Sequence, residues 1–89
     1  MQKYKLPRIA IYTTRNCPNC RQAKAAMKQW RIPFQEFDIE KNRRAAKEFA
    51  HLRVRAVPLI KVGERVLQGY DANRLRLLLS DAGFQVKPQ

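Results

Sequence analysis

Arg8-Ile9-Ala10-Ile11-Tyr12-Thr13 is apolar and rich in β-formers, and Thr14-Arg15-Asn16-Cys17-Pro18-Asn19-Cys20 follows it directly. The first stretch predicts a short buried strand. The second predicts a loop that runs into a helix, because Pro18 suits a first helical turn, where its missing N–H is not needed. Ala23, Ala26, Met27 and Trp30 then recur at helical spacing, with Arg21, Lys24 and Lys28 off that stripe. The two cysteines therefore fall at a strand-to-helix junction, Cys17 at its mouth and Cys20 inside the first turn.

Working outward, Ile32-Pro33 is expected to end this helix. Phe34-Gln35-Glu36-Phe37-Asp38-Ile39 reads as a second strand. Asn42 caps a second helix over 43–52, with Ala45, Ala46, Phe49 and Leu52 inward. Val57-Pro58-Leu59-Ile60-Lys61-Val62, the turn Gly63-Glu64 and Arg65-Val66-Leu67-Gln68 predict a hairpin. Gly69-Tyr70-Asp71 leads into a last helix with Leu75, Leu78, Leu79 and Ala82 inward, ended by Gly83. The tail from Gln85 to Gln89 reads as frayed. The order is βαβαββα. A crossover helix makes the first two strands parallel, and the hairpin is antiparallel. The expected fold is α/β, a four-stranded mixed sheet with helices on both faces.

At 89 residues the chain reads as one domain over 1–89, with its core within about 8–83. It has no apolar run of the roughly 18 residues a membrane span needs and no secretion-signal pattern, so the expected compartment is the cytoplasm. The net charge of +12, from 19 Lys and Arg against seven Asp and Glu, favours anionic partners. Arg43-Arg44 and Arg53-Val54-Arg55 are its densest spots. A nucleic-acid-binding module is the rival reading from another class. It lacks a recognition motif, however, and leaves the cysteine pair unexplained.

That pair is a poor staple, since closing so small a ring removes little chain entropy. It is an incomplete zinc site too, because four ligands are needed and only His51 adds to it. Its position suits reactivity instead. The thiolate is the nucleophilic form of cysteine, and the unpaired N–H groups and positive partial charge of a helix N-terminus stabilise it. Cys17 is thus the expected nucleophile with a depressed pKa, helped by Arg15 and Arg21. Cys20 is the expected resolving thiol.

Ile11-Tyr12-Thr13, Cys17-Pro18-Asn19-Cys20, Val57-Pro58 and Gly69-Tyr70-Asp71 resemble the glutaredoxins in identity and spacing, over residues 9–82. The resemblance implies a thioredoxin-like fold and a thiol–disulfide oxidoreductase that reduces protein or glutathione mixed disulfides. No cofactor would be tightly bound, no metal held, and the chain would be a monomer. It implies that Pro58 is cis and faces the cysteines, with the Val57 backbone turned toward an extended substrate. It also implies that Gly69, Tyr70 and Asp71 meet the γ-glutamyl end of glutathione, with Thr14, Arg15 and Asn19 lining the same site. The alternative for Asp71 is a plain helix cap.

The chain departs from the family pattern at several places. Thr14 stands where many members have lysine, Asn19 replaces a tyrosine, Ala56 a threonine and Gln68 a glycine, with Arg15, Arg53 or Arg55 as substitute cations. A sister group, the glutaredoxin-like hydrogen donors of ribonucleotide reductase, draws electrons from thioredoxin reductase. Those donors carry Trp-Ser-Gly-Phe where this chain has Leu67-Gln68-Gly69-Tyr70. Glutathione is the expected reductant, with thioredoxin reductase as the alternative. A third reading, an iron–sulfur scaffold shared by two chains, is disfavoured by Pro18.

Overall fold

The computed structural model describes residues 6–53 and 56–86. Arg55, named above as a substitute cation, lies outside the described residues, as do Val54 and residues 1–5 and 87–89. The elements are β1 (Ile9–Thr13), α1 (Pro18–Gln29), β2 (Gln35–Asp38), α2 (Arg43–His51), β3 (Leu59–Val62), β4 (Arg65–Gln68) and α3 (Ala72–Asp81). They form one sheet in the order β2-β1-β3-β4, with β1 parallel to β2 and antiparallel to β3, and β3 antiparallel to β4. This is the expected four-stranded mixed α/β arrangement.

Alternation along β1 sorts the core into two layers. Ile9 and Ile11, with Ile60 and Val62 of β3, pack against Ala23 and Met27 of α1 and Leu75, Leu78 and Leu79 of α3. On the other face, Tyr12 and Leu59 meet Ala45 of α2, with Phe37 and Phe49 against them. Helices thus cover both faces. The Tyr12 and Phe37 rings stack at 5.6 Å. Burial and the Glu48 carboxylate, which accepts the phenol proton at 3.1 Å, raise the Tyr12 pKa above 10.0.

Several boundaries differ from expectation. β3 starts at Leu59, because Pro58 offers no N–H to a ladder; the Val57–Pro58 bond is cis. β1 begins at Ile9 and β2 spans only Gln35–Asp38. Helix α1 stops before Ile32-Pro33. Trp30 is its C-cap, Arg31 takes a left-handed φ of 60°, and the Arg31 and Ile32 N–H groups return to the Lys28 and Met27 carbonyls at 3.0 and 2.8 Å. This is a Schellman ending built on arginine instead of glycine, so the usual signal was missing. Helix α2 ends at His51, with Leu52 as cap and Arg53 at φ 58°. At α3, Gly83 ends the helix as expected, and Phe84 N–H reaches the Leu79 carbonyl at 3.0 Å.

One ion pair ties α1 to the sheet. Glu36 Oε2 on β2 accepts from Lys24 Nζ at 2.9 Å and from the buried Thr13 hydroxyl at 2.8 Å. Partial burial alone would raise the Glu36 pKa, but the Lys24 and Thr13 hydrogen bonds and the Lys24 charge outweigh it and set it below its ordinary 4.5. A depressed carboxylate contributes stability above its unfolded-state pKa and loses it as pH falls through the folded one. Glu36→Gln should therefore destabilise the protein at pH 7. The gap to the parent should shrink as pH drops below about 4.5, measured by urea unfolding at stepped pH.

Candidate active site

Cys17 is the N-cap of α1, in extended backbone (φ −136°, ψ 97°), and Pro18 occupies the first helical position. Its Sγ accepts the Cys20 N–H at 3.0 Å, and its carbonyl takes the Arg21 N–H at 3.2 Å. Sulfur here does the work an oxygen does at an ordinary cap. Cys17 and Cys20 are joined by a disulfide, with Cα atoms 5.1 Å apart. Cys20 is 1% exposed and Cys17 6%, so both are buried and the residue at the helix mouth is the more exposed of the two. The first turn holds no acidic residue, which would have opposed an anion there.

Strand register brings the remaining candidates to the same end of the sheet. Tyr12 pairs with Leu59 across β1 and β3, so Thr13, the last residue before the cysteine loop, comes level with Pro58. Leu59 pairs with Gln68 across β3 and β4, and one step further the Gly69 N–H donates to the Pro58 carbonyl at 2.8 Å. The cis Val57–Pro58 bond, Gly69 and the cysteine loop thus lie at one edge. Pro58 is buried and Val57 half-buried. Gly69 has φ +82° with no atom within 4 Å of where a Cβ would stand, so backbone conformation and not crowding calls for glycine.

Tyr70 packs, half-buried, against the Ile11 layer. Asp71 is the N-cap of α3, its Oδ1 accepting the Arg74 N–H at 3.0 Å, which bears out the capping reading. Thr14 is half-buried, and Arg15, Asn19, Arg53 and Ala56 are exposed.

One contact near the site was not expected from sequence. The Arg15 N–H donates to Glu40 Oε1 at 3.0 Å, and Arg15, Asn16, Glu40 and Lys41 line a recess of about 380 Å³ beside the cysteine loop. The contact depends on β1–β2 register, where Thr13 meets Asp38, and nothing local in either segment signals it. No group of three or more potential metal ligands occurs among the described residues, and no helix among them is long and apolar enough to cross a membrane.

The family model for glutaredoxins matches residues 9–67. Among solved structures, the chain is similar to the thioredoxin-like protein BC3987 (26% identity, 81% of this chain and 100% of that one, TM-score 0.77). It is similar to the glutaredoxin-like NrdH-redoxin of Escherichia coli, described for its thioredoxin-like activity profile (25%, 80% and 93%, TM-score 0.73). It also resembles a glutaredoxin of Archaeoglobus fulgidus (22%, 83% and 87%, TM-score 0.71), which speaks to the fold alone. No curated protein matches the sequence. With the cysteine pair at the mouth of α1 and a sheet of this order, the chain belongs to the glutaredoxin family and is a thiol–disulfide oxidoreductase.

Proposed function

We propose that the protein reduces disulfides of other proteins and glutathione mixed disulfides, with Cys17 as nucleophile and Cys20 as resolving thiol. The observation that carries this is the capping bond from Cys20 N–H to Cys17 Sγ. In the reduced protein that N–H and the helix dipole favour negative charge on Cys17, whereas Cys20 lies within the helix at 1% exposure. The Cys17 thiolate attacks a substrate disulfide, forming a mixed disulfide and releasing one substrate thiolate. Cys20 then attacks Cys17 Sγ, the intermolecular bond breaks, and the second substrate thiolate leaves. Two electrons pass to the substrate, and two protons from the cysteine thiols end on its sulfurs.

Val57, Pro58, Gly69 and Tyr70 would flank the substrate, and Asp71 would meet the γ-glutamyl end of glutathione while capping α3, a use compatible with the one carboxylate oxygen engaged by Arg74 N–H. Thr14, Arg15 and Asn19 would border the same site. Glutathione is the reductant in this reading, and the cytoplasm its setting. The likeness to the E. coli NrdH-redoxin favours a second reading, in which thioredoxin reductase supplies the electrons.

The alkylation rate of Cys17 should follow a titration midpoint below the reference of about 8.5. A midpoint at or above it removes the basis for the nucleophile assignment. Cys17→Ser should reduce all disulfide substrates at background rate only. Cys20→Ser should keep exchange with a glutathione mixed disulfide while losing reduction of protein disulfides; equal losses on the mixed disulfide count against these roles. NADPH consumption should be fast with glutathione and glutathione reductase and at background with thioredoxin reductase. The reverse result selects the second reading.

A further inference from the structure

The three helices all begin at or beside the disulfide end of the sheet. β1 and β2 finish side by side at Thr13 and Asp38, and Asn42 N–H returns to the Asp38 carbonyl at 2.9 Å, so α2 starts next to the cysteine loop. Asp71, the cap of α3, follows Gly69, which is bonded to Pro58 at that same end. A helix N-terminus favours acidic side chains in its first turn. None of these three has one, and arginine stands there instead: Arg43 and Arg44 open α2, Arg74 lies in the first turn of α3, and Arg21 follows Cys20 in α1.

Arginines at the positive ends of helices work against local stability, so this arrangement needs another reason. At α2, capped by the neutral Asn42, it adds guanidinium charge to a helix dipole of the same sign, whereas α3 has the Asp71 carboxylate at its cap. The recess of Arg15, Asn16, Glu40 and Lys41 lies between the cysteine loop and the start of α2. Its two nearby carboxylates each accept a main-chain N–H and keep their charge: Glu40 from Arg15 N–H at 3.0 Å, and Asp38 from Glu40 N–H at 2.8 Å. Among the described residues no salt bridge engages Arg15, Lys41, Arg43 or Arg44, and all four are exposed.

We infer that this recess and the start of α2 form a docking surface for an acidic polypeptide segment flanking the disulfide that the protein reduces. The inference rests on the redox reading above and names a substrate class for that site. A molecule held there for turnover must itself carry a disulfide, because the patch adjoins the cysteine pair, and the inference commits to a polypeptide segment beside that disulfide. The segment is acidic because Arg15, Lys41, Arg43 and Arg44, exposed and without a salt bridge among the described residues, outnumber the carboxylates Asp38 and Glu40, and the net positive field raises encounter rates of oppositely charged partners while salt screens it.

The test uses pre-reduced protein and two synthetic peptides with the same intrachain disulfide, one flanked by Asp and Glu, the other by Lys, with dithiol loss followed by mass spectrometry. At low salt the acidic peptide should react about tenfold faster, with the two rates converging as ionic strength rises. In K41Q/R43Q/R44Q that advantage should fall to about threefold or less, with reduction of a neutral small disulfide unchanged. Because the substitutions remove cations from a helix N-terminus, the variant should melt no lower than the parent.

Equal rates for the two peptides at low salt, or an advantage untouched in the variant, overturn the inference while leaving the redox reading intact. Failure to reduce either peptide or the small disulfide sinks the redox reading, and the inference with it. A single-stranded oligonucleotide that binds more tightly than the acidic peptide at physiological salt overturns it in favour of nucleic acid.

Discussion

β1 is hydrogen-bonded on both sides, to β2 in parallel and to β3 in antiparallel register, and the geometry of the site follows from those two registers. The first ends β1 beside Asp38, which brings the loop before α2 against the loop before Cys17. The second sets Pro58 level with Thr13. A slip of one residue in either would turn β1's Ile9 and Ile11 away from α1 and α3, where both are buried. Core packing and site assembly are therefore the same constraint. The buried apolar face of a five-residue strand fixes where the polar end of the molecule gathers its parts.

The helix that receives Cys17 gives the two cysteines different settings with few parts. A proline at the first helical position, an extended cap residue and one N–H directed at sulfur suffice to distinguish two cysteines three apart. The ion pair of Lys24 and Glu36, joined by the Thr13 hydroxyl, then fixes the same helix to the strands beneath. Anchoring near the first turns matters, since a cap contact at 3.0 Å survives only if helix and preceding loop hold their relative position.

Much of this was legible in the chain, and for stated reasons. Pro18 marked the start of α1, Asn42 and Asp71 marked caps, and Gly63-Glu64 marked the hairpin, because each carries a local backbone requirement. The cis bond at Pro58 was expected from resemblance and not from pattern. What the sequence hid was set by contacts between distant segments or by unusual occupants of common roles. Arg31 and Arg53 end helices in the left-handed conformation that normally announces itself through glycine. The Arg15–Glu40 contact and the Lys24–Glu36–Thr13 group exist only once β1 and β2 are aligned. The split of the basic residues was partly legible, since the helix expected over 43–52 already opens on Arg43 and Arg44. Arg31 and Arg53 lie at C-terminal ends, where dipoles favour them, whereas Arg43 and Arg44 lie at an N-terminal end, where dipoles do not.

The two outer strands of the sheet carry a further consequence. β2 and β4 are each four residues long, and among the described residues each leaves one side of its backbone without a neighbouring strand. Such borders invite extension by another molecule's strand, which is how ordered aggregates begin. Here they are short and carry Glu36 or Arg65, and every copy bears a charge of +12. Like molecules repel before their borders can zip together. A net charge of one sign thus works against the border-to-border association of like copies that two open strand edges would otherwise favour.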